Sequence, residues 1–193
     1  MNRKKLAEVL SLVLQPQAVA LLLYALVSCN VLRGLRAVGV FLLSAVFVSV
    51  LPTVFVLSLA RKGRVSDPDL PRREERFVPY LGIVGMYSIL YVLLYLLAVP
   101  RELLAITLCY VTVTLVGAVI SLFWKISLHL AGIAGPVTAL VLLVHPLFAV
   151  LFGLLVPLGW ARVFLKKHTV LQVISGSLMS SAITYGIVHW VAL

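Results

Sequence analysis

Three short runs in this 193-residue chain carry side chains able to handle a phosphoryl group. Arg76 stands among acidic and basic neighbours, Ser127 and His129 flank Leu128, and Arg162 precedes Lys166, Lys167, His168 and Gln172. Cleaving a phosphate ester requires cations to neutralise the oxygens, a nucleophile in line, and an acid to protonate the departing alkoxide. Arginine offers a planar fork that fits phosphate, and imidazole can serve as either nucleophile or acid. The runs interrupt an otherwise apolar sequence, where an ionisable residue is a functional candidate by default.

The elements that must position them are membrane helices. Apolar residues make up 63% of the chain and charged residues only 11%, against roughly 25% charged in an average soluble domain. Mean hydropathy is +1.16. The apolar runs are continuous rather than alternating, which selects helices over a β-barrel. The sequence predicts an all-α polytopic bundle, a single integral-membrane domain over 1–193. Its spans are expected at 10–31, 37–60, 79–99, 103–123, 129–143, 146–163 and 170–192, seven in all, or six if the first is peripheral. Pro52 and Pro157 fall within spans, where they are expected to kink helices. Gly132, Gly135 and Pro136 fit a close backbone approach or an irregular helix start.

Alternating these spans puts the N-terminus, segment 61–77, Lys125 and the run 162–167 on one side, with 13 of the 16 Lys and Arg residues. The positive-inside rule makes that side cytoplasmic. Arg3, Lys4 and Lys5, which belong to none of the three runs, agree, and Trp124 and Trp160 fall at the same interface. The expectation is a cell inner-membrane protein with its N-terminus and site facing the cytoplasm. The net charge of +10 therefore reports orientation, and nucleic acid is not an expected partner. Cys29 and Cys109 lie in apolar runs and read as small hydrophobes. Leu26-Val27-Ser28-Cys29 is similar to a lipoprotein processing box, but Gln15-Pro16-Gln17 breaks the run as no simple signal peptide does. A short amphipathic lead-in and an uncleaved first span are the preferred reading. Between His129 and Arg162 the chain is short for two full crossings, so the site is expected about one turn below the headgroups.

The run from Ala161 to Gln172 resembles the third signature of the type 2 phosphatidic acid phosphatase superfamily, SRxxxxxHxxxD. Ser127-Leu128-His129 resembles the second, PSGH, and Arg76-Phe77 the close of the first, KxxxxxxRP. The resemblance covers about residues 37–190. It implies a membrane lipid substrate bearing phosphate or diphosphate, no metal and no cofactor. His168 would attack phosphorus to form a phosphohistidine, and His129 would protonate the leaving oxygen. Gln172 would orient the nucleophile, while Arg76, Ser127 and Arg162 would hold the phosphoryl oxygens. The chain departs from the signatures at several positions. Gln172 replaces an aspartate, Asp69 replaces the lysine, and Leu128 and Ile126 replace glycine and proline. Arg72 or Arg73 is the expected substitute for the lysine.

Other readings of the same residues stay open. Segment 61–77 can be a solvated basic loop, Ser127 an ordinary helix cap, and Arg162 to His168 a snorkelling patch in which Lys166 and Lys167 act as anchors. Asp67 and Asp69 could hold Mg²⁺ and a diphosphate, as in a Mg-dependent intramembrane prenyl transferase. A non-catalytic protein that binds anionic lipid or a partner is the remaining alternative. His145 and His189 read as turn and interface residues.

Overall fold

The computed structural model describes residues 2–193, and among these there is no strand. Asn2 caps the first helix, α1 (Arg3–Val13), through a side chain that accepts from the Lys4 N–H. Leu14 and Gln15 leave helical geometry, and Pro16 restarts the chain as α2 (Pro16–Val31), a position where its missing N–H costs nothing. The expected lead-in is therefore a helix of its own, packed against α8 (Leu155–Phe164).

A second hairpin arm runs through α3 (Gly34–Ala45), a π-helical turn at Val46–Val50, and α4 (Leu51–Arg61). The widened turn lies just before Pro52, which cannot donate to the helical ladder. Helices α5 (Phe77–Leu96) and α6 (Arg101–Phe123) form the next pair. Helix α7 (Leu128–Leu143) is followed by a 3-10 segment, Pro146–Leu154, then α8 and α9 (Val170–Val191). The span expected at 146–163 is thus α-helical only in its second half. Pro157 sits in the first turn of α8, where it fits without kinking a long helix.

Six helical stretches are long and apolar enough to cross a membrane: Arg3–Val31, Gly34–Arg61, Arg73–Leu96, Arg101–Phe123, Pro146–Phe164 and Val170–Val191. Helix α7 is shorter, about 24 Å at 1.5 Å per residue, and it is the buried centre of the bundle. Ten of its sixteen residues, including the whole run Ile133–Leu140, are buried. Helices α9, α2 and the 3-10 segment pack around it. Its glycines explain how closely: a Cβ at Gly132 would lie 2.6 Å from Pro16 Cβ, and one at Gly135 would meet Ser180 and Thr184 on α9. Close approach, rather than an irregular start, is what Gly132 and Gly135 serve, and Pro136 lies buried inside this helix.

Buried polar pairs fasten the helices across the core. Tyr24 Oη and Thr107 Oγ1 are 2.7 Å apart, joining α2 to α6, and Thr138 Oγ1 donates to Ser181 Oγ between α7 and α9. Outside, large apolar side chains such as Val78, Leu96, Val150 and Leu178 stand exposed, the surface a hydrocarbon solvent requires. Arg36 donates to the carbonyls of Leu97 and Ala98 at the end of α5, far from the three runs.

Candidate functional site

The spacing Arg162-x5-His168 is explained by a chain reversal. Helix α8 ends in a Schellman turn: Lys166 N–H donates to Val163 O at 2.9 Å and Lys167 N–H to Arg162 O at 3.0 Å. Lys166 adopts the left-handed conformation, φ +54°, that this turn needs. The reversal brings His168, whose N–H also donates to Arg162 O, back beside the arginine. Helix α9 then starts at once with a capping box, in which Gln172 N–H donates to Thr169 Oγ1 and Gln172 Oε1 accepts from Thr169 N–H. Gln172 Oε1 also lies 3.3 Å from His168 Nδ1. With Nδ1–H donating to the amide oxygen, His168 Nε2 is left with the free lone pair.

The second run docks on the third through backbone. Ser127 N–H donates to Gln172 O, and a Cβ at Gly176 would collide with Ser127 O and lie 3.2 Å from its carbonyl carbon. Only glycine on α9 lets this segment sit so close. Ser127 occupies the N-cap position of α7 yet makes no capping bond, and its buried Oγ has no partner among the described residues. His129 follows one residue into α7.

The first run closes the other side. Arg76, 3% exposed, donates from Nε to Leu70 O at 2.8 Å and from Nη1 to Ile126 O at 2.9 Å. It thereby holds the loop before α5 to the segment before α7. The expected lysine substitutes lie elsewhere. Arg72 pairs with Glu75 at 3.7 Å, and Arg73 pairs with Glu74 and donates to Phe123 O. Neither lines the cavity described below, so Arg72 and Arg73 are corrected to outward-facing residues. Their own acidic neighbours hold them there.

Asp69 and Lys167 are in the site instead. Asp69 Oδ2 accepts from both Nη groups of Arg162 at 3.3 Å and pairs with Lys167, while Oδ1 lies 3.7 Å from His129 Nε2. Lys167 is therefore not only an interfacial anchor, whereas Lys166 is exposed. The signal in the sequence was Asp69 itself, one of six acids in a chain of sixteen cations, placed where the resemblance expects a lysine. A carboxylate there recruits whichever cations face it.

The local field follows. Burial pushes the Asp69 carboxyl up, but Arg162, Lys167 and His129 outweigh it and hold the group below the usual carboxylate range. Burial, then Arg76, Arg162 and Lys125, pushes the His168 imidazole down to about 3. His168 is neutral at physiological pH, the form that can act as a nucleophile. Burial and the same two arginines lower Lys125 as well.

His129, His168, Arg76, Arg162, Lys167 and Asp69 all line one cavity of about 790 Å³. From this charged end it continues past Pro136, Ala139, Leu23, Ile106, Tyr110 and Val113 into the apolar middle of the bundle. His129 and Ala139 are separated by about 15 Å of helical rise along α7. Lys4, Glu8 and Ser11 put one face of α1 on the same cavity, and Gln15, in the break before α2, joins them. The spacing of Lys4, Glu8 and Ser11 at four and three was its signal.

Among the described residues no three His, Cys, Asp or Glu side chains converge as a metal cage would. Asp67 Oδ1 accepts from Asp69 N–H, and the Asp69 carboxylate faces Arg162 and Lys167, surroundings that repel Mg²⁺. No family model, curated protein or solved structure matches this chain.

Proposed function

We propose that this chain is a membrane-integral phosphatase that hydrolyses a lipid phosphate or isoprenyl diphosphate through a phosphohistidine on His168. One observation carries the reading: two histidines and two buried arginines, drawn from three distant runs, line the charged end of a cavity whose body is apolar. Such a cavity fits a ligand with an anionic head and a hydrocarbon tail. An unmet donor on a lining residue supports an anion in particular, since Arg162 Nε is buried without a partner among the described residues; Ser127 Oγ, close to His129 in the chain, is buried and unpartnered among them too.

In the proposed reaction His168 Nε2 attacks phosphorus as the ester P–O bond breaks, and His129 gives its proton to the departing oxygen. Water then attacks the phosphohistidine, giving its proton to His129, and the N–P bond breaks to release phosphate. Arg76, Arg162 and Lys167 neutralise the phosphoryl oxygens, and Ser127 would donate a hydrogen bond to one of them. Gln172 fixes the His168 tautomer, without the charge an aspartate would lend to a developing imidazolium. By the positive-inside rule the site opens toward the cytoplasm of a cell inner membrane.

Asp69 supports a second reading, in which the site binds anionic lipid without turning it over. The two separate on turnover of a lipid phosphate panel by purified protein in EDTA. The phosphatase reading expects release of phosphate, at least about 10²-fold slower in both His168→Ala and His129→Ala. Activity that survives His168→Ala would refute the assigned nucleophile, and activity that needs Mg²⁺ would favour the prenyl transferase alternative.

A further inference from the structure

We propose that Asp69 is an internal occupant of the phosphoryl site, a tethered carboxylate that any phosphate ligand must displace before it can bind. The inference rests on the phosphate-site reading above and specifies the resting state of that site.

Each buried arginine is already engaged by the same four-residue stretch of loop. Asp69 Oδ2 takes both Nη groups of Arg162 and the Lys167 ammonium, and Leu70 O takes Arg76 Nε. The stretch is held in that pose from both sides. Asp67 Oδ1 accepts from Asp69 N–H at 2.7 Å, and Leu70, with φ +48°, buries its side chain against Leu59 and Val65. Leu70 thus anchors the loop while Asp69, 22% exposed at its side chain, can swing outward about its own rotatable bonds.

The fit of the carboxylate is incomplete in an instructive way. A carboxylate has two oxygens, and here it leaves Arg162 Nε unmet. A phosphoryl group brings a third oxygen and more charge to the same cations. Because Asp69 is tethered, it competes at a high effective concentration. Free anions therefore bind weakly and displace it only at high concentration, whereas a ligand whose tail also fills the apolar cavity replaces it readily.

Two arms test this. Calorimetric titration of inorganic phosphate, at fixed ionic strength, should show about ten-fold or greater tightening in Asp69→Asn relative to the wild type. In the wild-type protein, carbodiimide labelling of the Asp69 carboxyl, read by mass spectrometry and normalised to exposed Glu74, should rise as phosphate is added. The labelling arm needs no variant and decides the matter if Asp69→Asn does not fold. Phosphate that protects Asp69 or leaves its labelling unchanged overturns the inference, as does a variant that binds phosphate no better than wild type. If neither protein binds phosphate, the phosphate-site reading falls as well. Displacement of Asp69 by phosphate without any turnover of lipid leaves the inference standing and removes only the catalytic claim.

Discussion

Gly176 is where the geometry of the site can be perturbed with least chemistry. A methyl group at this position on α9 would meet Ser127 O, with the carbonyl carbon at 3.2 Å and the amide nitrogen at 3.4 Å. The obstacle is backbone, so no side chain can rotate out of the way. Restoring ordinary contact requires α9 and the Ser127 segment to part by about 1 Å. That motion strains the Ser127 N–H to Gln172 O bond and shifts the second run relative to His168. Overpacking costs about 1–3 kcal/mol, partly offset by the roughly 1 kcal/mol that alanine gains over glycine in a helix. Activity should suffer more than stability, since a displacement of about 1 Å in a reacting constellation can cost 10²-fold. The control is Gly186→Ala on the same helix, where a Cβ meets nothing within 4 Å. In detergent, Gly176→Ala should unfold at lower temperature than Gly186→Ala and turn over a lipid phosphate about 10²-fold more slowly. Equal stability and equal rates for the two variants would show that the three runs are not held together by this contact.

Four further outcomes follow from the site. The His168 ring resonance, assigned with His168→Gln, should not titrate between pH 7.5 and 5. Its folded pKa lies below the ordinary 6.5, so the unfolded chain takes the proton first and acidification from 6.5 toward 3 favours unfolding through this group. Gln172→Glu keeps the capping box but puts a charge beside Nδ1, and should raise that midpoint; an unchanged midpoint would mean Gln172 does not face the ring. Arg162→Lys gives up the fork on Asp69 at a position only 2% exposed, and should cost about 1–3 kcal/mol in thermal unfolding and tenfold or more in turnover. Lys166→Gly relieves the left-handed backbone at φ +54° and should stabilise the fold by up to about 1 kcal/mol, whereas clear destabilisation would argue against the Schellman turn.

Much of the fold was legible because hydrocarbon leaves few options: long apolar runs must be helices, and Pro16, Pro100 and the polar loops divide them. The central burial of α7 was less so, since its apolar pattern is the same whether it faces lipid or protein. Periodicity likewise cannot tell the 3-10 geometry of Pro146–Leu154 from an α-helix. At the site, local signals read well. Thr169 and Gln172 form a capping box that the spacing Thr-x-x-Gln announces, a role beyond replacing an aspartate. Long-range choices of partner did not read. Arg72 and Arg73 turn to Glu75 and Glu74, their neighbours along the chain. Lys167 turns to Asp69 across the site. That Lys167 meets Asp69 depends on the path of the 62–72 loop, fixed by the burial of Leu59, Val65 and Leu70, and no local pattern encodes it.

Trapping of the phosphorylated protein bears most directly on the proposed chemistry. Brief exposure of the purified chain to a lipid phosphate carrying a labelled phosphoryl group, quenched in base, should leave label on His168 as an acid-labile adduct. The label should be absent from His168→Ala and should be chased by unlabelled substrate. Steady hydrolysis with no label on His168, or with label at another residue, would contradict the account.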